Sequence, residues 1–143
     1  MKTFAKYFPE LASSLFILLF VYAGIIKWID YDKFIVQIGQ SPILAYYAES
    51  IAWLVPLMEI LIALLFLFSR TRLTAFFAGY AMMLLFTFYI FYILSFSATI
   101  PCSCGGILEK LGWKEHLVFN LFFIILAITA IFLYPSPQSQ SKL

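Results

Sequence analysis

Residues 46–98 read YYAESIAWLVPLMEILIALLFLFSRTRLTAFFAGYAMMLLFTFYIFYILSFSA, two long apolar runs parted only by Ser69-Arg70-Thr71-Arg72. Each run exceeds the roughly 20 residues a helix needs to cross a hydrocarbon core about 30 Å thick. A four-residue polar connection is too short for anything but a tight reversal, so the two helices must lie antiparallel and side by side. Spans are expected over residues 46–68 and 73–98, and the fold follows from this pair.

Working outward, residues 11–29 supply another apolar span, with Pro9 able to stand at a first helical position and Trp28 at the far interface. Lys2 and Lys6 ahead of this run superficially suggest a secretory signal, but the run is longer than a usual signal core. It also lacks a small-x-small site followed by a hydrophilic chain, so it reads as a retained first helix. Residues 30–40 mix charges with Phe34, Ile35, Val36 and Ile38 and read as a short amphipathic segment at the membrane interface. Ser41-Pro42 then gives a helix start signal. A polar, glycine-containing loop over residues 99–114 precedes a last span over residues 115–134, which Pro135-Ser136-Pro137 ends. The expected fold is an all-α integral membrane bundle of four transmembrane helices, forming one domain over residues 1–143.

Composition supports this and excludes other classes. The 143 residues are 64% apolar and only 11% charged, against about 25% charged in a typical soluble domain. A formal net charge of +2 is too small and too scattered for a nucleic-acid partner. The positive residues of short loops orient the bundle. Lys2, Lys6, Arg70, Arg72 and Lys142 share one side, while Lys33, Lys110 and Lys114 lie on the other, with Lys27 near that boundary. Both termini are therefore expected in the cytoplasm of a bacterium, in its inner membrane. The loop before the last helix then faces the periplasm, where disulfides persist.

That loop contains Pro101-Cys102-Ser103-Cys104-Gly105-Gly106, with both cysteines of the chain. Residues i and i+2 of an extended chain point to opposite faces, whereas a disulfide needs converging Cβ atoms. Pro101 and the two glycines permit the tight turn that closure requires. A bond closing so short a ring gains little chain entropy and, strained and exposed, belongs to the easily reduced kind. The bland alternative is a pair of inert loop thiols. The apolar spacing of residues 106–112 suggests a short interfacial helix, whose N-terminus would make Cys104 the more reactive thiolate and Cys102 its resolving partner. Metal binding competes for the same residues, because His116 shares their side. Two cysteines and one histidine are an incomplete set for a closed site, so no metal is expected. His116 could instead assist deprotonation of a thiol or sit at headgroup level.

Inside the membrane Glu59 stands near the middle of the second span, three residues after Pro56. An ionisable group at that depth is a functional candidate by default, and its bland reading is a neutral acid bridging helices. Lys27 is expected about 10 Å higher along the bundle at 1.5 Å per residue, so direct pairing with Glu59 requires tilted helices or a bridging water, and snorkelling is its expected behaviour. The third span carries Tyr80, Phe86, Phe88, Tyr89, Phe91, Tyr92 and Phe96, a set that could line a slot for a quinone headgroup or simply pack against helices and lipid.

Together, Gly24 and Lys27 with Phe34, Pro56 with Glu59, the Cys102-Ser103-Cys104 loop followed by glycine, then Trp113 and Asn120, resemble the DoxX-like membrane proteins. Within these they are most similar to the methylamine-utilisation MauE branch of redox-associated proteins. The likeness runs from about residue 15 to residue 127. Its most specific part is the cysteine loop followed by tryptophan and asparagine. Gly105 departs from it, since that branch commonly has phenylalanine there. The resemblance implies a four-helix bundle working beside periplasmic thiol-disulfide partners and maturing a disulfide-rich subunit of methylamine dehydrogenase. Quinone-coupled disulfide-forming membrane enzymes are architecturally similar, but they use a Cys-x-x-Cys pair and often a second shuttle pair. Two functions follow as expectations. One is a thiol-disulfide relay through Cys102 and Cys104, supported by His116, Glu59, Lys27, Trp113 and Asn120, with a periplasmic thioredoxin-like or disulfide-bearing partner. The other is a noncatalytic accessory subunit of a membrane assembly.

Overall fold

The computed structural model describes residues 2–96 and 112–134, with side chains for 7–96, 112 and 114–134. The described residues form α1 (Lys2–Ile29), α2 (Tyr31–Gly39), a 3₁₀ turn (Ala45–Tyr47), α3 (Ala48–Leu67), α4 (Arg72–Phe96) and α5 (Trp113–Leu133). Four of these helices, α1, α3, α4 and α5, are long and apolar enough to cross a membrane. Large apolar side chains cover the outside, such as Leu18, Phe77, Leu85, Phe88 and Phe132, the last 83% exposed. Such a surface requires lipid. Hydroxyls within the spans bond to their own helix, as Thr87 Oγ1 does to the Met83 carbonyl at 2.7 Å and Thr129 Oγ1 to that of Ile125 at 2.8 Å. Polar groups without water are thereby satisfied locally.

The helices succeed one another around the bundle as α1, α3, α4, α5 and back to α1, while α1 and α4 barely touch across the diagonal. At the end formed by the α3–α4 turn, here called the closed end, Phe16 is the hub of an aromatic core. Its ring stacks on Phe66 at 5.4 Å and meets Phe76 and Phe123 edge-on at 6.0 and 5.1 Å. The turn itself is tied by side chains that bond carbonyls which α3, ending at Leu67, leaves open. Thr71 Oγ1 donates to Leu65 at 2.7 Å, Arg72 Nε to Phe66 at 3.5 Å, and the Tyr134 hydroxyl of the last helix to Ser69 at 3.0 Å.

At the opposite end α2 lays Phe34 and Ile38 on Ala48 and Ala52 of α3. Two sequence expectations change. Pro9 lies inside α1, with helix before and after it. The missing N–H removes only the bond to the Ala5 carbonyl, near the helix start, where one lost bond is least disruptive. Ser41-Pro42 opens a single turn rather than the spanning helix, with the Ser41 carbonyl accepting from Ala45 N–H at 3.0 Å. The chain uses that turn and the following 3₁₀ turn to reverse from α2 onto α3, against which α2 packs.

Candidate functional site

The site begins where α1 crosses α3. A Cβ at Gly24 would stand 3.1 Å from Ile60 Cδ1 and 3.3 Å from the Pro56 carbonyl oxygen, so the absent side chain lets the helices approach closely. Lys27 follows Gly24 by three residues and Glu59 follows Pro56 by three. The crossing sets Gly24 level with residues 56–60, so Lys27 rises only about 4.5 Å above it. Its side chain leans back toward the N-terminus of α1, as helical side chains do, and reaches down to Glu59. Lys27 Nζ and Glu59 Oε1 are 2.8 Å apart, with the carboxylate side chain fully buried and that of the lysine 16% exposed. Snorkelling is therefore replaced by a direct ion pair. The expected height difference failed because it measured each residue from its own helix end and ignored the crossing register.

Three further interactions hold the ammonium. It donates to the Ala23 carbonyl at 3.4 Å and lies 5.9 Å from the centre of the Phe34 ring and 5.6 Å from that of Phe86. Cation–π attraction adds to the pair where water is scarce. A second pair, Lys33 with Asp30 at 3.1 Å, stands nearer the surface.

Above the crossing the bundle is hollow. A cavity of about 830 Å³ reaches from Glu59, Lys27 and Asn120 to α2, with His116 and Phe119 on its wall. Of the aromatic residues expected to line a slot, Phe86, Phe88, Tyr89 and Tyr92 do so, whereas Tyr80, Phe91 and Phe96 do not. His116 and Asn120 are four residues apart and share one face of α5. Asn120 is 1% exposed. Among the described residues neither its Nδ2 nor Glu59 Oε2 has a hydrogen-bond partner. Cys102 and Cys104 lie outside the described residues, as does the expected short helix over 106–112, and Trp113 is placed only by its backbone at the start of α5. Phe96 and Gly112, which bound that loop, belong to the helix ends at the cavity end. Among the described residues no group of three or more His, Cys, Asp or Glu side chains could hold a metal.

Of the residues that carry the resemblance, Lys27, Phe34, Glu59 and Asn120 line this cavity and Gly24 and Pro56 meet at the crossing beneath it. The family model described as methylamine utilisation protein MauE matches residues 5–133. The chain belongs to the MauE family. Membership and four apolar helices make it a multi-pass membrane protein. No curated protein and no solved structure matches the chain.

Sequence reasoning missed Phe119 and Gln37 on the cavity wall and the role of Gly24 as the crossing point. Gly24, one turn before Lys27, was the available signal: a glycine is where a second helix can come close, and a crossing there against residues 56–60 brings Glu59 within reach of the long lysine side chain.

Proposed function

We propose that this MauE-family protein is a thiol-disulfide relay or maturation factor of the methylamine-utilisation type, working through Cys102 and Cys104 on a periplasmic disulfide-bearing partner. The supporting observation is topological. The connection that carries both cysteines joins α4 to α5 at the end where the Lys27–Glu59 pair, His116 and Asn120 line the cavity. The two helix ends that the cysteine-bearing connection joins therefore stand at the cavity end of the bundle.

In the relay, the Cys104 thiolate attacks a disulfide of the partner and forms a mixed disulfide, releasing one partner thiolate. The Cys102 thiolate then displaces the second. The partner leaves as a dithiol and Cys102–Cys104 as a disulfide, and two electrons have passed to the partner. Run backward, the same steps oxidise a partner dithiol. With both termini in the cytoplasm the loop faces the periplasm, and an impermeant thiol reagent then labels the reduced cysteines in intact cells. Labelling only after lysis would reverse the orientation.

The deciding experiment is disulfide trapping. Cys102→Ser is expected to leave a reactive Cys104 that accumulates a mixed disulfide with its partner, and Cys104→Ser to trap little. If neither variant traps a protein and the double serine variant retains the cellular phenotype, the protein is a noncatalytic accessory instead.

A further inference from the structure

Above the Lys27–Glu59 pair the cavity is lined mainly by carbon. Its α4 wall runs from Ala81 to Tyr92 by way of Met82, Leu85, Phe86 and Phe88, a rise of about 16 Å. Ile51 and Val55 of α3 and Phe119 of α5 stand on the other walls. Glu59 and Asn120 are 0% and 1% exposed, so both are sealed into the packing and present next to no polar surface to a guest. Lys27 keeps 16% of its side chain exposed, but its ammonium is already held by Glu59.

The cavity opens sideways. Leu85 and Phe88 line it and are themselves 67% and 74% exposed. Both lie near the middle of α4, whose residues Arg72–Phe96 are long and apolar enough to cross a membrane, so the opening faces the hydrocarbon of the bilayer. At the top of the cavity, amphipathic α2 and its Lys33, with a side chain 70% exposed, mark the level of the membrane interface. A carbon-lined hole stays dry. Left empty, the space of about 830 Å³ would deprive its lining of dispersion contacts, which are what hold helices together in lipid. Hydrocarbon stands at the opening and matches the walls.

We propose that the cavity holds an acyl chain of one bilayer phospholipid. The chain enters past Leu85 and Phe88 and lies along α4 between Ala81 and Tyr92, while the headgroup stays at the level of Lys33. It completes the packing of the hollow end, as the rings around Phe16 complete the other. Because its contacts are with carbon, the site selects by chain length and not by headgroup.

The test uses the full chain. After purification in a maltoside detergent, native mass spectrometry is expected to find one phospholipid retained per chain, with phosphatidylcholine and phosphatidylglycerol retained equally when supplied in equal amounts. In nanodiscs, a phosphatidylcholine bearing a diazirine at the end of its acyl chain should label Phe34, Phe86 or Phe119 saturably, and lipid-facing Phe132 without saturation. Exhaustive delipidation should lower the melting temperature, and dipalmitoyl phosphatidylcholine should restore it where dioctanoyl phosphatidylcholine does not. Val55→Trp, which fills the cavity from its wall, should lose both the retained lipid and the inner labelling, keep the labelling of Phe132, and melt at the same temperature with or without lipid. Ile51→Trp serves as a second filling variant, and should both fail to fold, the inner and outer labelling of the parent decides. Retention of an isoprenoid in place of a phospholipid, a strong preference for the anionic headgroup, or labelling confined to outward-facing residues would each overturn the proposal. The last result would mean that the protein itself fills the space.

Discussion

The closed end and the cavity end are made from the same kinds of residue and packed in opposite ways. Phenylalanines pack against one another at the first, with Phe16 meeting rings of three other helices. At the second, Phe34, Phe86 and Phe119 stand around a space. In lipid an apolar side chain gains little merely by leaving the solvent, so helices are held together by close packing and by polar bonds between them. The closed end uses the first means. The cavity end relies on the second, through one buried ion pair beneath a roof made by α2. Stability and ligand capacity are thus assigned to different halves of one short bundle.

Several substitutions can break or sharpen that contrast, all read by unfolding of the purified protein in detergent. The largest effect is expected for Phe16→Ala, which opens a hole in the aromatic core and should cost about 3–5 kcal/mol. Val55→Ala at the cavity wall should cost well under half as much, because the site is already loosely filled. Equal losses would erase the distinction between the two ends. Next comes Lys27→Met, which strands the buried Glu59 carboxylate and should cost about 3 kcal/mol. Adding Glu59→Leu to it should recover most of the loss, and failure to recover would show that the pair does more than neutralise itself. Gly24→Ala tests the crossing. Its new methyl meets Ile60 and the Pro56 carbonyl, so a loss of about 1–2 kcal/mol is expected from overpacking, and Ile60→Val should relieve part of it. The smallest change belongs to Tyr134→Phe, which removes the hydrogen bond to Ser69 at an exposed site and should cost about 0.5–1 kcal/mol.

The spans were legible because membrane thickness acts on sequence length directly. Residues 46–98 needed only counting, and the arginine-bearing turn between them fixed their antiparallel course. Which face of each helix looks inward was not legible, since the spans are apolar all round and give no polar stripe to read. Phe88 and Phe91 of α4 look alike in sequence, yet the first lines the cavity and the second does not. Glu59 stood out as an ionisable residue in an apolar run and Asn120 through the family resemblance, and both are buried in the bundle. Lys27 was noticed but misjudged, because its pairing depends on how two helices cross and not on its place within either. Of the cavity only one wall was legible, in the aromatic residues of the third span; its extent was not, for it is defined by atoms that fail to meet.

The Lys27–Glu59 contact at 2.8 Å also has an electrical meaning. A single charge carried across a membrane potential does work of about 2.3 kcal/mol per 100 mV. Two opposite charges held as one short dipole cancel almost all of that coupling. Removing either partner would leave one uncompensated charge in the floor of the cavity, and any rearrangement that moved it along the membrane normal would then respond to the membrane potential.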